Sequence, residues 1–195
     1  MDVFLGRWLE GVLATRGLTG LTTAAEARCV LLDDALRAVP LLSQARGPVI
    51  DVGSGGGSPG IPLAVAFPDR SFTLLEAERR KCDFLEAITA ELPNVEVVWG
   101  RAEEQPVDTF GAALAKALAK PQVAAELCLP LVRCGGIAIL WVGETAEREP
   151  VSRVAEQLGG EPEEAPTGFF VLRKLEPTPA GFPRRAGMAK KRPLA

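Results

Sequence analysis

Residues 48–64, PVIDVGSGGGSPGIPLA, constrain this chain more than any other stretch. An apolar run closes on Asp51, five glycines follow within ten residues, and a helix-forming run begins at Ile61. A short apolar run bounded by glycine reads as a buried strand. Glycines let the backbone reach positive φ and let a ligand approach without a Cβ in the way. In open α/β sheets, ligands bind beyond the carboxyl ends of the strands, where this loop lies.

The rest of the chain alternates in the same manner. Up to about Gln44 it reads as helices, with Thr22 or Thr23 as an N-cap of the second. After PVIDVG come a helix in IPLAVAFP, a strand in SFTLLEA, an amphipathic helix in ERRKCDFLEAITAELP and a strand in VEVVWG. TFGAALAKALA begins as a strand, PQVAAELCLPLVRCGG is a helix ending at Gly135-Gly136, and IAILWVG is a strand. VSRVAEQLGG is a helix and TGFFVLRKL a last strand. Strands alternating with helices at short spacing predict a doubly wound α/β sheet, mostly parallel. The predicted organisation is a short helical cap over 1–46, a sheet domain over 47–176 and a basic tail over 177–195.

Composition narrows the chemistry. Apolar residues make up 47% of the 195 and charged residues 24%, as in a globular protein. No apolar run approaches the roughly 18 residues of a membrane span. The first residues, MDVFLGRWLEGVLATRG, lack the basic region and cleavage site of a secretory signal, so a cytoplasmic location is expected. There is no histidine, and the four cysteines form no C-x-x-C pair, so no metal site is expected. The missing imidazole excludes Ser-His and Cys-His catalysis.

The loop alone leaves its ligand open. Gly53-x-Gly55-x-Gly57 fits nucleoside-methionine binders, and Gly55-x-Gly57-x-x-Gly60 fits the dinucleotide fingerprint. Glu76, at the end of the next strand, is placed to hold the hydroxyls of a ribose. It implies an adenosine without choosing between the two, and the alternative is an exposed acid paired with Arg79 or Arg80. GRAEE, residues 100–104, follows the third strand and is placed to frame an adenine edge, unless its acids merely begin a helix.

DVGSGGGSPGIPLA, LLEAERRKCDFL, GRAEE and the terminal FPRRAGMAKKRPL together resemble the RsmG (GidB) family. That resemblance implies a Rossmann-like class I methyltransferase with a seven-stranded sheet. It implies S-adenosylmethionine as cofactor and, as substrate, N7 of a guanine in bacterial 16S ribosomal RNA, position 527 of the 530 loop. By the same resemblance Gly53 and Ser58 face the methionine part and ribose, Glu76 the ribose hydroxyls, and Ala102 and Glu103 the adenine, with Gly55 among the cofactor-binding residues. Lys116 stands where the family usually has an arginine, and is the candidate for positioning substrate; the alternative is a solvated strand-end lysine. VLLDDAL has an apolar residue where the family usually has a histidine before its DSL.

N7 of guanine carries an in-plane lone pair, so it needs no base to remove a proton, and no catalytic acid or base is assigned. Residues 173–195 hold seven Lys/Arg against one acid, leaving fifteen bases and twenty-four acids before them. Arg184, Arg185, Lys190, Lys191 and Arg192 are expected to meet RNA phosphates, with Pro179, Pro183 and Pro193 keeping the segment extended. The alternative is a solvated tail that aids solubility. The expected partner is 16S ribosomal RNA or a small-subunit assembly intermediate, bound by a monomer. Rival functions are an RNA-binding assembly factor with decayed catalysis and a dinucleotide-dependent oxidoreductase.

Overall fold

The computed structural model describes residues 2–195. The chain opens with α1 (Asp2–Ala14) and α2 (Ala24–Ala27). A π-helical segment over Arg28–Asp33 follows, then α3 (Asp34–Leu36) and α4 (Val39–Leu42). Thr23 caps α2: its hydroxyl accepts the Glu26 amide, and Glu26 reaches back to the Thr23 amide.

The sheet domain begins with β1 (Val49–Val52), α5 (Gly60–Ala66), β2 (Phe72–Glu76), α6 (Arg79–Thr89) and β3 (Val95–Trp99). It continues with β4 (Phe110–Ala115), α7 (Pro121–Cys128), β5 (Val132–Trp141), α8 (Arg148–Gln157), β6 (Gly160–Glu163) and β7 (Phe169–Lys174). A single turn, α9 (Met188–Lys191), lies near the end. The strand order is β3-β2-β1-β4-β5-β7-β6. The first five strands run parallel, and β7 and β6 are antiparallel to their neighbours. The order reverses between β1 and β4, where such sheets bind ligands.

Side-chain alternation divides the core into two layers. Ile50, Val52, Ala113, Ala115, Ala138 and Leu140 face α7 and α8, with Ala125, Cys128, Val154 and Leu158 among their partners. Val49, Ala112, Leu114, Ile137 and Ile139 face the opposite way, toward Leu63 and Ala64 of α5 and Leu41 and Leu42 of α4. On the same side, fully buried Trp8 joins Ile61, Leu74 and Leu85, and its Nε1 donates to Gly56 O at 2.7 Å. Helix α1 is thereby tied to the glycine loop.

Two local expectations are corrected, and one strand is found that the sequence pattern does not place. The helix expected to reach Gly135-Gly136 stops at Cys128; a 3₁₀ turn over Leu129–Leu131 carries Pro130, and β5 has already begun at Val132. Proline supplies no N–H to continue a helix. A Cβ at Gly136 would lie 2.6 Å from Gly111 O, so this glycine serves a close pass of β5 by β4, whereas Gly135 has open space around it and sits at φ 81. Strand β6, with its Pro162, has no apolar alternation; proline is tolerated there because the strand is at the sheet edge. The tail is not extended throughout: Gly187, at φ 81, turns the chain into α9, which lies between the prolines rather than on them.

Candidate cofactor and substrate site

The carboxyl ends of β1, β2, β3 and β4 open into one cavity of about 590 Å³. Small-molecule sites span about 300–1,000 Å³. Its lining comprises Gly53–Gly56 and Ser58, Glu76–Glu78, Gly100–Glu103 and Lys116–Leu118. Val12, Leu18, Val30 and Leu31 close it from the helical cap, and Gly187, Ala189 and Lys190 from the tail. Gly53, Gly55, Ser58, Glu76, Ala102, Glu103 and Lys116, singled out in the sequence, all line it; Arg184, Arg185, Lys191 and Arg192 do not.

Glu76 is buried and held by backbone. Its Oε2 accepts Gly55 N at 2.9 Å, and its Oε1 accepts Ala77 N at 2.7 Å and Glu78 N at 2.9 Å. Neither Arg79 nor Arg80 pairs with it; Arg79 goes to Asp83 and Glu86. A carboxylate has about four lone-pair sites. Three amides leave room for one further donor, such as a ribose hydroxyl. Gly55 sits at φ 56, and a Cβ built there would meet only Gly53 O, at 3.9 Å. The space beside it is open to a ligand, and any side chain would take it up. The donor set and the cradle therefore fit the nucleoside and methionine parts of S-adenosylmethionine.

The loop is pinned from below by Asp51, for which the sequence suggested no role. Asp51 Oδ2 accepts Gly60 N at 3.1 Å, and Oδ1 is buried without a protein partner. A Cβ at Gly60 would stand 2.6 Å from that Oδ2 and 2.3 Å from Leu74, so only glycine lets α5 close onto the strands. Burial pushes the Asp51 carboxyl up to about 7; Ser54 and the Gly60 amide pull it down, as does the Lys116 charge, while Glu76 adds to the rise.

Several expected ligand contacts are met inside the chain. Ser58 Oγ donates to Leu31 O at 2.7 Å, fastening the loop to the cap. Glu103 Oε1 accepts Gly187 N at 2.8 Å, fastening the tail to the cavity lip. Arg184 departs from the expected phosphate contact. Its guanidinium forms a fork on Glu126 of α7, with Nε–Oε1 and Nη2–Oε2 both 2.6 Å, and Nη2 also donates to Arg192 O at 2.9 Å. Glu126 is buried, so its charge requires this partner. Arg185, Lys190, Lys191 and Arg192 remain exposed.

Lys116 is not a solvated strand-end lysine. Its side chain is only 14% exposed; Nζ stands 2.8 Å from Asp34 Oδ2 and donates to Val30 O. Both partners belong to the helical cap. Asp34 has a local partner in Arg37, three residues on, but no local signal joins it to Lys116 or joins Glu126 to Arg184, because those bases lie far along the chain.

The family model for rRNA small subunit methyltransferase G (GidB) matches residues 7–161. A Ribosomal RNA small subunit methyltransferase G from Synechococcus elongatus (strain ATCC 33912 / PCC 7942 / FACHB-805) is 36% identical over 198 residues, covering 91% of this chain and 82% of that protein. Another, from Leuconostoc mesenteroides subsp. mesenteroides, is 32% identical and covers 97% of this chain and 89% of that protein. Among solved structures, geranyl diphosphate C-methyltransferase from Streptomyces coelicolor A3(2) aligns with a TM-score of 0.57 at 12% identity, over 73% of this chain and 77% of that one. The T. Thermophilus 16S rRNA N2 G1207 methyltransferase aligns with a TM-score of 0.53 at 17% identity, over 69% of this chain and 36% of that one. At such identities the likeness is one of fold, and the fold is the Rossmann-like class I methyltransferase sheet. With four-fifths of its length matched by the model and with relatives above 30% identity along most of the chain, the protein belongs to the rRNA small subunit methyltransferase G (GidB) family.

Proposed function

We propose that this chain methylates N7 of a guanine in bacterial 16S ribosomal RNA, position 527 of the 530 loop, using S-adenosylmethionine, and that it works as a cytoplasmic monomer on the RNA or on a small-subunit assembly intermediate. One observation carries the reading: the Glu76 carboxylate is fixed by three amides with a lone pair to spare, in a glycine-walled cavity that also presents Lys116. Among the described residues, no helix is long and apolar enough to cross a membrane.

S-adenosylmethionine supplies an electrophilic sulfonium methyl group. Because N7 of guanine already carries an in-plane lone pair that would take up that methyl group, the chain has no proton to remove, and the absence of histidine is no obstacle. The residues work by alignment and electrostatics. Glu76 and the loop fix the nucleoside end, Ala102 and Glu103 border the adenine end, and Lys116 stands at the lip nearest β4. N7 lies on the Hoogsteen edge, so the target base must be accessible in a loop or turned out of its stack. The exposed Arg185, Lys190, Lys191 and Arg192 contact phosphates, giving affinity and register rather than sequence.

The test is methyl transfer from labelled S-adenosylmethionine to small-subunit ribosomal RNA from cells lacking this protein, with the modified base mapped. One new N7-methylguanine in the 530 loop is expected. No transfer to the RNA or to intact particles, with the cofactor still bound, would refute the substrate; no cofactor binding would refute the site.

A further inference from the structure

The proposed reaction places two positive charges in conflict at the cavity lip. As N7 bonds the methyl carbon, the carbon–sulfur bond breaks, the sulfonium becomes a neutral thioether, and the positive charge passes to the purine. Lys116, the cavity-lining cation that follows β4, would oppose that charge if it stood alone. It does not: Asp34 Oδ2 lies 2.8 Å from its Nζ, and both side chains are largely shielded from solvent.

Asp34 is itself held firmly. Its Oδ1 accepts Arg37 Nη1 at 2.8 Å, and Arg37 donates through Nη2 to Thr167 O at 2.6 Å and lies 5.0 Å over the Phe169 ring. Asp34 O accepts Trp141 Nε1 at 3.3 Å. The acid is thus braced against β5 and β7, while the Val30 carbonyl that also receives Lys116 comes from the π-helical segment, a distortion frequent at functional sites. The chain turns at once after Lys116, with Ala117 at φ 54, a conformation costly for a residue with a Cβ. An ammonium has three N–H donors. Asp34 and Val30 take two, leaving one for a substrate.

We propose that Asp34 is a positioning residue for methyl transfer. It holds Lys116 Nζ at the cavity lip and balances its charge, so that the third N–H can donate to the purine O6, beside N7, without opposing the cation that forms. This rests on the reading of function above and adds a residue to it. Asp34 touches neither cofactor nor substrate and acts through Lys116.

The experiment compares the wild-type full chain with Asp34→Asn, Asp34→Glu, Lys116→Met and the double variant Asp34→Asn/Lys116→Met. It measures S-adenosylmethionine affinity, and kcat and KM on unmethylated small-subunit RNA. Asp34→Asn keeps the shape but removes the charge and turns one accepting oxygen into a donor, so it cannot hold both Lys116 Nζ and Arg37 Nη1. Its kcat should fall by roughly tenfold to a hundredfold, the scale of a misplaced positioning group, with cofactor affinity and KM nearly unchanged. Asp34→Glu should recover much of the loss. The double variant should turn over at least as fast as Asp34→Asn, because the uncompensated ammonium is gone. Wild-type kcat in Asp34→Asn, a parallel loss of cofactor affinity, or losses that multiply in the double variant would each overturn the role of Asp34. A wild type inactive on this RNA would instead overturn the reading of function.

Discussion

Arg184→Ala separates two roles for the same side chain. In the structure its guanidinium is committed to Glu126, which is only 4% exposed, through two 2.6 Å contacts. Removing one partner of a buried pair costs about 3–5 kcal/mol, because a charge is left buried and unpaired. The chain has a way to limit that cost: the tail can lift off α7 and let water reach Glu126. The loss is therefore capped by the docking energy of the tail, which rests on Phe182 and Leu194 packed on the core and on buried Ala189. A loss of 3 kcal/mol raises the lifted population by about a hundredfold, at roughly 1.4 kcal/mol per decade. Trypsin reads this directly: Arg185, Lys190 and Lys191 are exposed, but docking holds the backbone around them fixed, so cleavage follows the lifted population. Arg184→Ala should be clipped in the tail about a hundredfold faster, or to the limit set by full lifting, while the sheet domain stays resistant. Arg184→Met with Glu126→Leu should restore resistance, since apolar replacement of both partners of a buried pair is often neutral or better. Unchanged cleavage of Arg184→Ala, together with weaker RNA binding and a salt slope shallower by about one, would refute the internal pairing and return Arg184 to the phosphates.

Glu76→Gln should weaken S-adenosylmethionine binding by tenfold or more in calorimetry, since an amide side chain cannot accept three amide N–H groups and a hydroxyl as a carboxylate does. Deleting residues 181–195 should weaken RNA binding and flatten its dependence on salt. With four exposed tail cations, the slope should change by at most about 3, at roughly 0.7 per phosphate on a single strand; an unchanged slope would exclude the tail from the RNA. Asp51 supplies a pH signature. Its carboxyl, raised from 3.8 to about 7, keeps in the folded state a proton that the unfolded chain releases. Its contribution to stability is complete below about pH 4 and is lost as pH rises to about 7, by at most about 4 kcal/mol. Asp51→Asn should abolish that dependence, so the difference in denaturant stability between variant and wild type should shift in favour of the variant across this range; a constant difference would refute the raised pKa.

The sheet was legible because it depends on local patterns. VIDV, FTLLE and FGAALA announce buried strands by composition, and the glycine loop announces where the ligand end lies. Strand β6 was not legible, because GEPE has neither alternation nor β-formers and owes its place to pairing with β7. Cavity residues were found on the same local basis: Gly53, Gly55 and Glu76 follow strand ends, and strand ends meet in space. What sequence could not supply was the partner of each charge. Lys116, Glu103 and Arg184 were all assigned outward, to substrate, adenine or phosphate. In the fold each also has an internal partner: Asp34, the Gly187 amide and Glu126, respectively. Such pairings depend on tertiary approach, which no periodicity reports.

Those pairings alter what the uneven charge distribution means. The tail starts at the far end of the sheet. There fully buried Lys174, its pKa pushed down by burial, contacts Thr178 Oγ1 at 2.9 Å, and Asp108 binds Thr178 N and Oγ1. From that anchor it crosses α7 through Arg184 and reaches the opposite end at Glu103, where Lys190 joins the cavity lining. A basic segment that merely aided solubility would need none of these fastenings. Fixed as it is, the segment delivers Lys190 to the same lip as Lys81, Arg101 and Lys116, on a body that is otherwise acidic. A polyanion approaching this protein is repelled by most of its surface and drawn to one edge of one cavity. On the proposed reading, orientation of the RNA toward the methyl donor is then a property of where the tail is tied, and Glu103 and Glu126 serve RNA binding by holding cations in place.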